Sequence, residues 1–375
     1  MTVRIAAIAA AAVAVLAPAP VSAGQVTPLT PVVSHAQSAL LYERACASCH
    51  GPDGRGASRA LATFNDPLPD FQDCAFATRE PDSDWLAVIH DGGPARAFGR
   101  MMPAFSGALT LEEMTMTLEH VRSFCRDRAW PRGELNLPRP LVTEKAFPED
   151  EAVITTAVDT SGSGAVNNKL VYERRVGPRS QVEVVVPFSF LQHDGNDKRS
   201  GGIGDLTLGV KRAFAHSRER GSIVSAAAEI ILPIGDDALG LSKGTAVFEP
   251  FVSVGQILPG DAFVQAQAGV ELPFDRSKAT PEAFWRVAGG ISLTAGKFGR
   301  AWSPMLELVA ARELETGQPT HLDLVPQMQV TLSTRQHIMA SVGMRVPVNH
   351  REGRPAQVLC YLLWDWFDGP LFGGW

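Results

Sequence analysis

The chain after residue 150 alternates between apolar and polar residues over long stretches. Around position 186, for example, Val182, Val184 and Val186 alternate with Glu183 and Val185. A period of two places successive side chains on opposite faces of an extended chain, which is typical of a β-strand. Such segments centre near positions 155, 171, 186, 208, 227, 251, 268, 289, 307, 327, 341 and 362. The sequence therefore predicts about twelve strands of roughly 9–13 residues each.

The length of these segments separates two architectures, a soluble β domain and a membrane barrel. A strand that crosses a bilayer at a tilt needs about 9–11 residues, whereas strands of ordinary globular proteins average about 5–6. The polar faces carry charges in mid-strand, which a wet lumen tolerates and a lipid-facing exterior does not. These residues are Glu183, Asp205, Lys211, Glu229, Glu249, Glu271, Arg286, Glu307, Asp323 and Arg345. The pattern favours an antiparallel transmembrane β-barrel over residues 151–375, with a soluble β domain as the alternative.

The connections between the predicted strands alternate in length. Longer polar connections follow the odd strands, as at 191–202 and 234–245, and shorter ones follow most even strands, as at 176–180 and 258–261. The connection at 215–221 is an exception. Outer-membrane barrels have short periplasmic turns and longer extracellular loops. We therefore expect the chain to enter the barrel from the periplasm.

A second signal precedes the strands, the pentapeptide Cys46-Ala47-Ser48-Cys49-His50. Cys-x-x-Cys-His is the attachment site of a c-type haem. Two thiols one helical turn apart can add to the two vinyl groups of one haem, and the following histidine becomes the proximal iron ligand. We expect one covalently attached haem c on Cys46 and Cys49, with His50 on the iron.

The residues around this motif predict a small helical domain over 36–130. Helices are predicted from Ser38 to Ala47 and from Asp82 to His90. Thr110-Leu111-Glu112-Glu113 is a capping box that opens a last amphipathic helix, ending near Arg126. Together with the haem motif, these helices resemble the class I cytochrome c fold.

That resemblance implies a methionine as sixth iron ligand, in a loop before the last helix. Met102, in Met102-Pro103, matches the family position, and Met101 is its close rival. His90 and His120 are the remaining alternatives. Ligation by His and Met raises the haem potential relative to two histidines. It also fills both axial positions, so an electron carrier is expected rather than a substrate-converting enzyme.

The first 23 residues resemble a secretory signal peptide. Arg4 supplies the positive charge, residues 5–16 are apolar, and Val21-Ser22-Ala23 is a small-x-small cleavage site. An uncleaved anchor helix is the alternative, and two prolines, Pro18 and Pro20, argue against it. Export agrees with the haem motif, since c-type haem is attached outside the bacterial cytoplasm.

Two further cysteines lie in the helical segment, and an exported protein meets an oxidising compartment. We expect a disulfide between Cys74 and Cys125; two unrelated buried thiols are the alternative. The following residues, 131–150, contain Pro131, Pro138 and Pro140, and prolines at this density do not continue helices. We interpret this stretch as a linker.

The barrel segment carries recurrent short motifs. Several odd strands finish on a proline, as at Pro187, Pro233 and Pro273, and the segment 202–211 is rich in glycine. These motifs resemble the outer-membrane transporter family named after the phenol-degradation meta-pathway. The whole arrangement resembles bacterial cytochrome–porin fusions, some of which carry electrons across the outer membrane.

Size limits what such a fusion can do. A folded domain of about 100 residues has a radius of gyration of about 13 Å, and open aqueous channels need about 16–18 strands. About twelve strands cannot enclose a cytochrome, so the haem domain should lie at the periplasmic mouth.

We expect electron transfer with periplasmic redox proteins or small redox solutes, and electron exchange across the outer membrane as an extension of that role. The alternative is an outer-membrane solute channel with the cytochrome as a redox-linked gate or docking module. The net charge of −6 gives no indication of nucleic-acid binding.

Overall fold

The structure is a computed structural model that describes residues 35–57, 68–161, 165–192 and 199–365 of the 375-residue chain. The expected signal peptide, residues 1–23, lies outside the described residues. Among the residues described, no helix has the length and apolar composition needed to cross a bilayer.

The amino-terminal domain is helical. Its helices are α1 (His35–Ala45), α2 (Ala47–His50), α3 (Cys74–Ala77), α4 (Asp82–Asp91) and α5 (Leu111–Ser123), with 3₁₀ turns at Gly93–Arg96 and Gly133–Leu135. The predicted capping box opens α5, because the Thr110 hydroxyl accepts from the Glu113 backbone N–H and the Glu113 carboxylate accepts from the Thr110 N–H. Helices α1 and α5 pack together through the rings of Tyr42 and Phe124, whose centroids are 5.2 Å apart. The three predicted helices are therefore all present.

Twelve strands follow, and two of them are interrupted. They are β1 (Glu151–Asp159), β2 (Val166–Val176), β3 (Ser180–Gln192), β4 (Arg199–Ile203 and Leu206–Ser217), β5 (Ser222–Leu232), β6 (Val247–Ile257), β7 (Ala262–Pro273), β8 (Glu282–Ile291 and Leu293–Thr294), β9 (Ala301–Glu313), β10 (His321–Thr331), β11 (Ile338–Pro347) and β12 (Gln357–Asp365). All neighbours pair antiparallel, and β1 pairs with β12 from Glu151↔Asp365 to Asp159↔Gln357. The sheet is thus a closed barrel of twelve strands, as predicted.

The apolar face of this barrel points outward. Leu170, Val210 and Val342 are 46%, 57% and 56% exposed, whereas Glu173 and Glu307 on the inner face are both fully buried. This distribution is the reverse of a soluble protein, in which charged residues are almost never fully buried. The alternation that predicted the strands therefore separates an apolar exterior from a polar lumen.

The connection expected at 215–221, the one exception to the alternation in loop length, is shorter in the structure. Strand β4 bulges between Ala213 and Ala215, which lets it continue to Ser217. The turn to β5 is then only 218–221, comparable with the turns 177–179 and 258–261. All turns after even strands are consequently short, and they lie at one end of the barrel, called here the short-turn end.

Residues 135–150, which form most of the predicted linker 131–150, run inside the barrel and are called here the plug. Leu135, Phe147 and Glu149 are each at most 2% exposed. Leu135 and Phe147 pack against wall residues of β4 and β5, and Leu137 packs against β7 and β9. The proline-rich stretch thus joins the two domains and also fills the lumen.

The plug is hydrogen-bonded around nearly the whole circumference of the barrel. Its backbone N–H groups donate to wall side chains in the pairs Leu141–Gln327, Val142–Glu307, Thr143–Glu307, Glu144–Gln267 and Glu149–Gln181. Its carbonyls accept from the wall in the pairs Pro138–Gln265, Arg139–Tyr361, Val142–Arg286, Lys145–Lys211 and Ala146–Ser225. The wall side chains thereby satisfy backbone groups that an extended segment away from water would otherwise leave unpaired.

Candidate haem site and its setting on the barrel

The motif cysteines lie on one turn of helix. Helix α1 ends at Ala45, Cys46 precedes α2, and the Cys46 carbonyl accepts from the N–H groups of Cys49, at 3.1 Å, and of His50, at 2.9 Å. Both thiols are free. Burial, followed by the neighbouring Cys49, raises the pKa of Cys46 to about 11. The spacing offers two thiols side by side for thioether formation.

His50 has the environment of an iron ligand. Its ring stacks on Phe71 with centroids 4.9 Å apart, and its buried Nδ1 has no hydrogen-bond partner among the described residues. Burial lowers the pKa of His50 to about 4. The imidazole is therefore neutral at neutral pH, which is the form that binds a metal. Phe71 is held in place by a 2.8 Å bond from its N–H to the Gly54 carbonyl.

The loop before α5 distinguishes the two candidate methionines. Met102 packs against the buried cluster of Ile89, Met114 and Leu118, whereas Met101 is 54% exposed. The Met102 carbonyl accepts from the Gly93 N–H at 3.0 Å. A Cβ at Gly93 would lie 2.2 Å from the Gly99 carbonyl oxygen, so only glycine permits this close approach. The packing favours Met102 as the sixth ligand.

The two histidine alternatives are engaged elsewhere. His90 Nδ1 lies 2.6 Å from the Asp91 carboxylate. The His120 ring packs between Tyr42 and Phe124, with centroid distances of 5.0 and 5.1 Å. Both histidine rings therefore have partners within the helical domain.

The helical domain contains the expected disulfide. Cys74, at the start of α3, is bonded to Cys125, just after α5, with Cα atoms 5.1 Å apart. The link spans 51 residues and ties α3 to the end of the domain.

A family model described as cytochrome c matches residues 36–124. Residues 36–124 are a cytochrome c domain. The family carries covalently bound haem c, and the free thiol pair, the unpartnered imidazole and the inward-packed thioether fit that group. Cys46 and Cys49 would hold the haem, and His50 and Met102 would ligate its iron. When bound, the haem supplies one-electron redox chemistry.

Several solved structures of outer-membrane proteins are similar to part of this chain. An outer-membrane channel from Pseudomonas putida F1 is 14% identical, with a TM-score of 0.45, over 61% of this chain and 100% of that one. The NanC porin is 9% identical with a TM-score of 0.42, over 57% and 99%, and the KdgM porin is 10% identical with a TM-score of 0.37, over 58% and 99%. No curated protein sequence matches the chain significantly. The description of the barrel rests on its own strand pairing.

The cytochrome domain docks on the short-turn end of the barrel. Arg218, in the turn after β4, forms ion pairs with Asp82 and Glu134. His337 Nε2, before β11, lies 3.0 Å from the Glu80 carboxylate, and the Arg335 guanidinium stacks 4.5 Å over the Phe98 ring. These contacts place the domain over the mouth at which β1 begins.

The plug is also tied directly to the cytochrome domain. Arg79, after α3, forms an ion pair of 2.5 Å with the buried Asp150 of the plug, and just before the plug the Gly133 N–H donates to the Thr78 carbonyl at 2.7 Å. Domain, plug and barrel mouth therefore share one continuous set of contacts.

A charged cluster inside the lumen was missed by sequence reasoning. Arg139 of the plug pairs with Glu151, Glu173 and Glu144, and Lys145 pairs with Glu149. In sequence these residues look like an exposed linker, because a polar lumen and water select the same side chains. The available signal is that the wall residues Glu183, Glu229, Glu249 and Glu271 lie on strands that contain no lysine or arginine.

Proposed function

We propose that this protein is a monohaem c-type cytochrome anchored in the bacterial outer membrane, transferring electrons at the periplasmic mouth of its barrel. The observation that carries the proposal is the cytochrome c domain docked on the short-turn end of a closed barrel. Short turns are periplasmic in outer-membrane barrels, and the orientation follows from that rule.

The exterior of the barrel supports a membrane location. Strands of 9 to 13 residues present apolar side chains such as Leu306 and Leu362, 52% and 47% exposed, around the wall. Contiguous apolar patches of this extent are rare on water-soluble monomers. Outer-membrane lipid is the partner that this surface fits.

The filled lumen favours an anchor over an open pore. Plug residues 135–150 hydrogen-bond to the walls of eight strands, so solute flow requires their displacement. Electron exchange at the periplasmic face, with a redox protein or a small redox solute, needs no such displacement. Both axial positions of the iron would be filled by His50 and Met102, which suits electron transfer better than substrate chemistry.

The second candidate function is a solute channel with the cytochrome as a redox-linked gate. The Arg79–Asp150 ion pair favours it, because a movement of the cytochrome domain would pull on the carboxyl end of the plug. If the cytochrome is a gate, the oxidation state of the haem would change the conductance of the barrel.

Purified protein in proteoliposomes distinguishes the two functions. The electron-transfer proposal predicts rapid haem reduction by an impermeant reductant on the cytochrome side, with conductance near the lipid background in both oxidation states. The double variant Cys46→Ala/Cys49→Ala should abolish the redox signal and leave the barrel inserted. Conductance that follows the haem redox state would favour the gate, and haem-stained protein found only in soluble periplasm would refute the membrane anchor.

A further inference from the structure

A row of glutamates extends across neighbouring strands on the inner wall of the barrel, from one end to the other. Strand register pairs them as Glu151↔Glu173, Glu173↔Glu183, Glu183↔Gly209, Gly209↔Glu229, Glu229↔Glu249, Glu271↔Glu282 and Glu282↔Glu313. Phe248 pairs with Leu272, which places Glu249 beside Glu271. The row begins at the short-turn end, where β1 starts, and finishes at the opposite mouth, where β9 ends. It forms an acidic path from the long-loop mouth down to the plug.

At the lower part of this row, the plug adds a third carboxylate to two from the wall. One oxygen each from Glu144, Glu173 and Glu183 lies within 4.8 Å of the other two. Two oxygens bound to the same Ca²⁺ at about 2.4 Å can be at most about 4.8 Å apart. The three carboxylates therefore meet the distance condition for sharing one ion.

Two of these carboxylates lie beside one small cavity. Glu183 is 9% exposed and lines the cavity with Glu144, Glu229 and Lys211. Its carboxyl group is in hydrogen-bond contact with that of Glu173, and it forms no ion pair among the described residues. The Oε2 atom of Glu144 is buried and unpartnered. Glu173, by contrast, is held by Arg139 at 2.8 Å. The cavity thus contains one buried acceptor oxygen without a donor, Glu144 Oε2, beside the Glu173–Glu183 carboxyl pair.

A glycine keeps the cavity open. A side chain at Gly209 would place its Cβ 3.0 Å from Glu229 Cγ and 3.4 Å from Glu183 Cβ. Gly209 belongs to the glycine-rich segment 202–211 that stands out in the sequence. Its lack of a side chain leaves room between two wall carboxylates.

The charge balance points to the valence of the missing partner. Within the described residues, the plug network contains five glutamates (Glu144, Glu149, Glu151, Glu173, Glu183) and three cations (Arg139, Lys145, Lys211). When all eight groups are ionised, two negative charges remain in excess, and uncompensated buried charge is strongly unfavourable. Carboxylate-only sites suit hard divalent ions such as Ca²⁺, Mg²⁺ and Mn²⁺.

We propose that Glu144, Glu173 and Glu183 bind one hard divalent cation, which enters along the glutamate row and fixes the plug to the wall. Ca²⁺ is the probe of choice, because it accepts irregular sets of 6–8 oxygen ligands, including water. Since Glu144 is on the plug and the other two are on the wall, the ion stabilises the plugged state.

The test is the calcium content and thermal stability of the full haem-loaded chain in detergent. After equilibrium dialysis, wild type should hold one Ca²⁺ per chain. Glu183→Gln, which removes a ligand charge, and Gly209→Ala, which fills the cavity and keeps every charge, should each weaken binding at least tenfold. Glu219→Gln in an exposed turn and Gly289→Ala, where a Cβ meets only one atom at 3.9 Å, serve as matched controls and should bind as wild type does.

Thermal unfolding provides a second readout that a folding defect would not imitate. In chelator, Glu183→Gln should be at least as stable as wild type, because it removes an unpaired buried charge. Added Ca²⁺ should raise the melting temperature of wild type and leave that of Glu183→Gln unchanged. Equal calcium content in wild type and Glu183→Gln, or equal stabilisation of both by Ca²⁺, would overturn the proposal.

Discussion

Arg139 offers the sharpest test of the plug, because this one side chain joins the plug to two buried wall carboxylates. It is 6% exposed and pairs with Glu151 and Glu173, whose side chains are 1% and 0% exposed. Removing one member of a buried ion cluster costs about 3–5 kcal/mol, since the remaining charges stay buried. At about 1.4 kcal/mol per factor of ten, Arg139→Met should raise the ratio of unplugged to plugged barrels about a hundredfold to a few thousandfold.

Single-channel conductance in planar bilayers measures that ratio as the fraction of time spent open. Arg312→Met, an exposed arginine without an ion pair among the described residues, is the control and should match wild type. Adding Glu151→Gln and Glu173→Gln to Arg139→Met should recover most of the closed state, because the stranded charges are then gone. A folded Arg139→Met protein that remains closed would refute the assignment of the plug.

Three further predictions concern the cytochrome domain. Met102→Ala should retain covalent haem but change its spectrum and lower its potential, whereas Met101→Ala should change neither; the reverse result in visible spectroscopy would exchange the two assignments. Burial acts to raise the pKa of Asp82, but a hydrogen bond to Glu134 and three neighbouring arginines hold that pKa below its ordinary 3.8. The Asp82 carboxylate therefore stabilises docking above pH 3.8, and this contribution is lost as the pH falls through the lowered pKa. Asp82→Asn should weaken docking at neutral pH and make docking less dependent on acid pH. Release of the domain by a protease measures both effects. Thr110→Ala should destabilise the domain by about 1 kcal/mol, measured by denaturant unfolding followed at the haem, since it removes the α5 cap; an unchanged midpoint would contradict the capping role.

Local patterns account for what the sequence could predict. The alternation around Val182 and Val184 is fixed by a period of two along one strand, and the contrast between an apolar exterior and a polar lumen keeps that signal strong. The capping box at Thr110 depends on a residue only three positions away, Glu113. Both features are short-range, so one sequence is sufficient to find them.

The plug depends on long-range partners, and for that reason it was not predicted. The Leu141 N–H bonds to Gln327, 186 positions away, and Val142 bonds to Glu307, 165 positions away. Prolines such as Pro138 and Pro140 break helices in a linker and in a lumen alike. Composition therefore could not separate a solvated linker from a segment solvated by the side chains of a barrel.

The docking arrangement limits where electrons can enter and leave. The contacts of the barrel with the cytochrome domain include Glu80, Asp82 and Phe98, and none of the described contacts joins residues 46–50 to the barrel. The Met102 loop, by contrast, borders the docking surface, because Arg335 stacks over Phe98 and donates to the Ala97 carbonyl. A single haem at the mouth is also separated from the far side by a hydrocarbon core of about 30 Å, with a lumen filled by the plug. Under the proposed function, exchange with a periplasmic partner is therefore the direct route, and any transfer to the outside requires either a second carrier or movement of the plug. Electron exchange with a soluble partner should consequently be insensitive to Arg139→Met, whereas transfer across the membrane should depend on it.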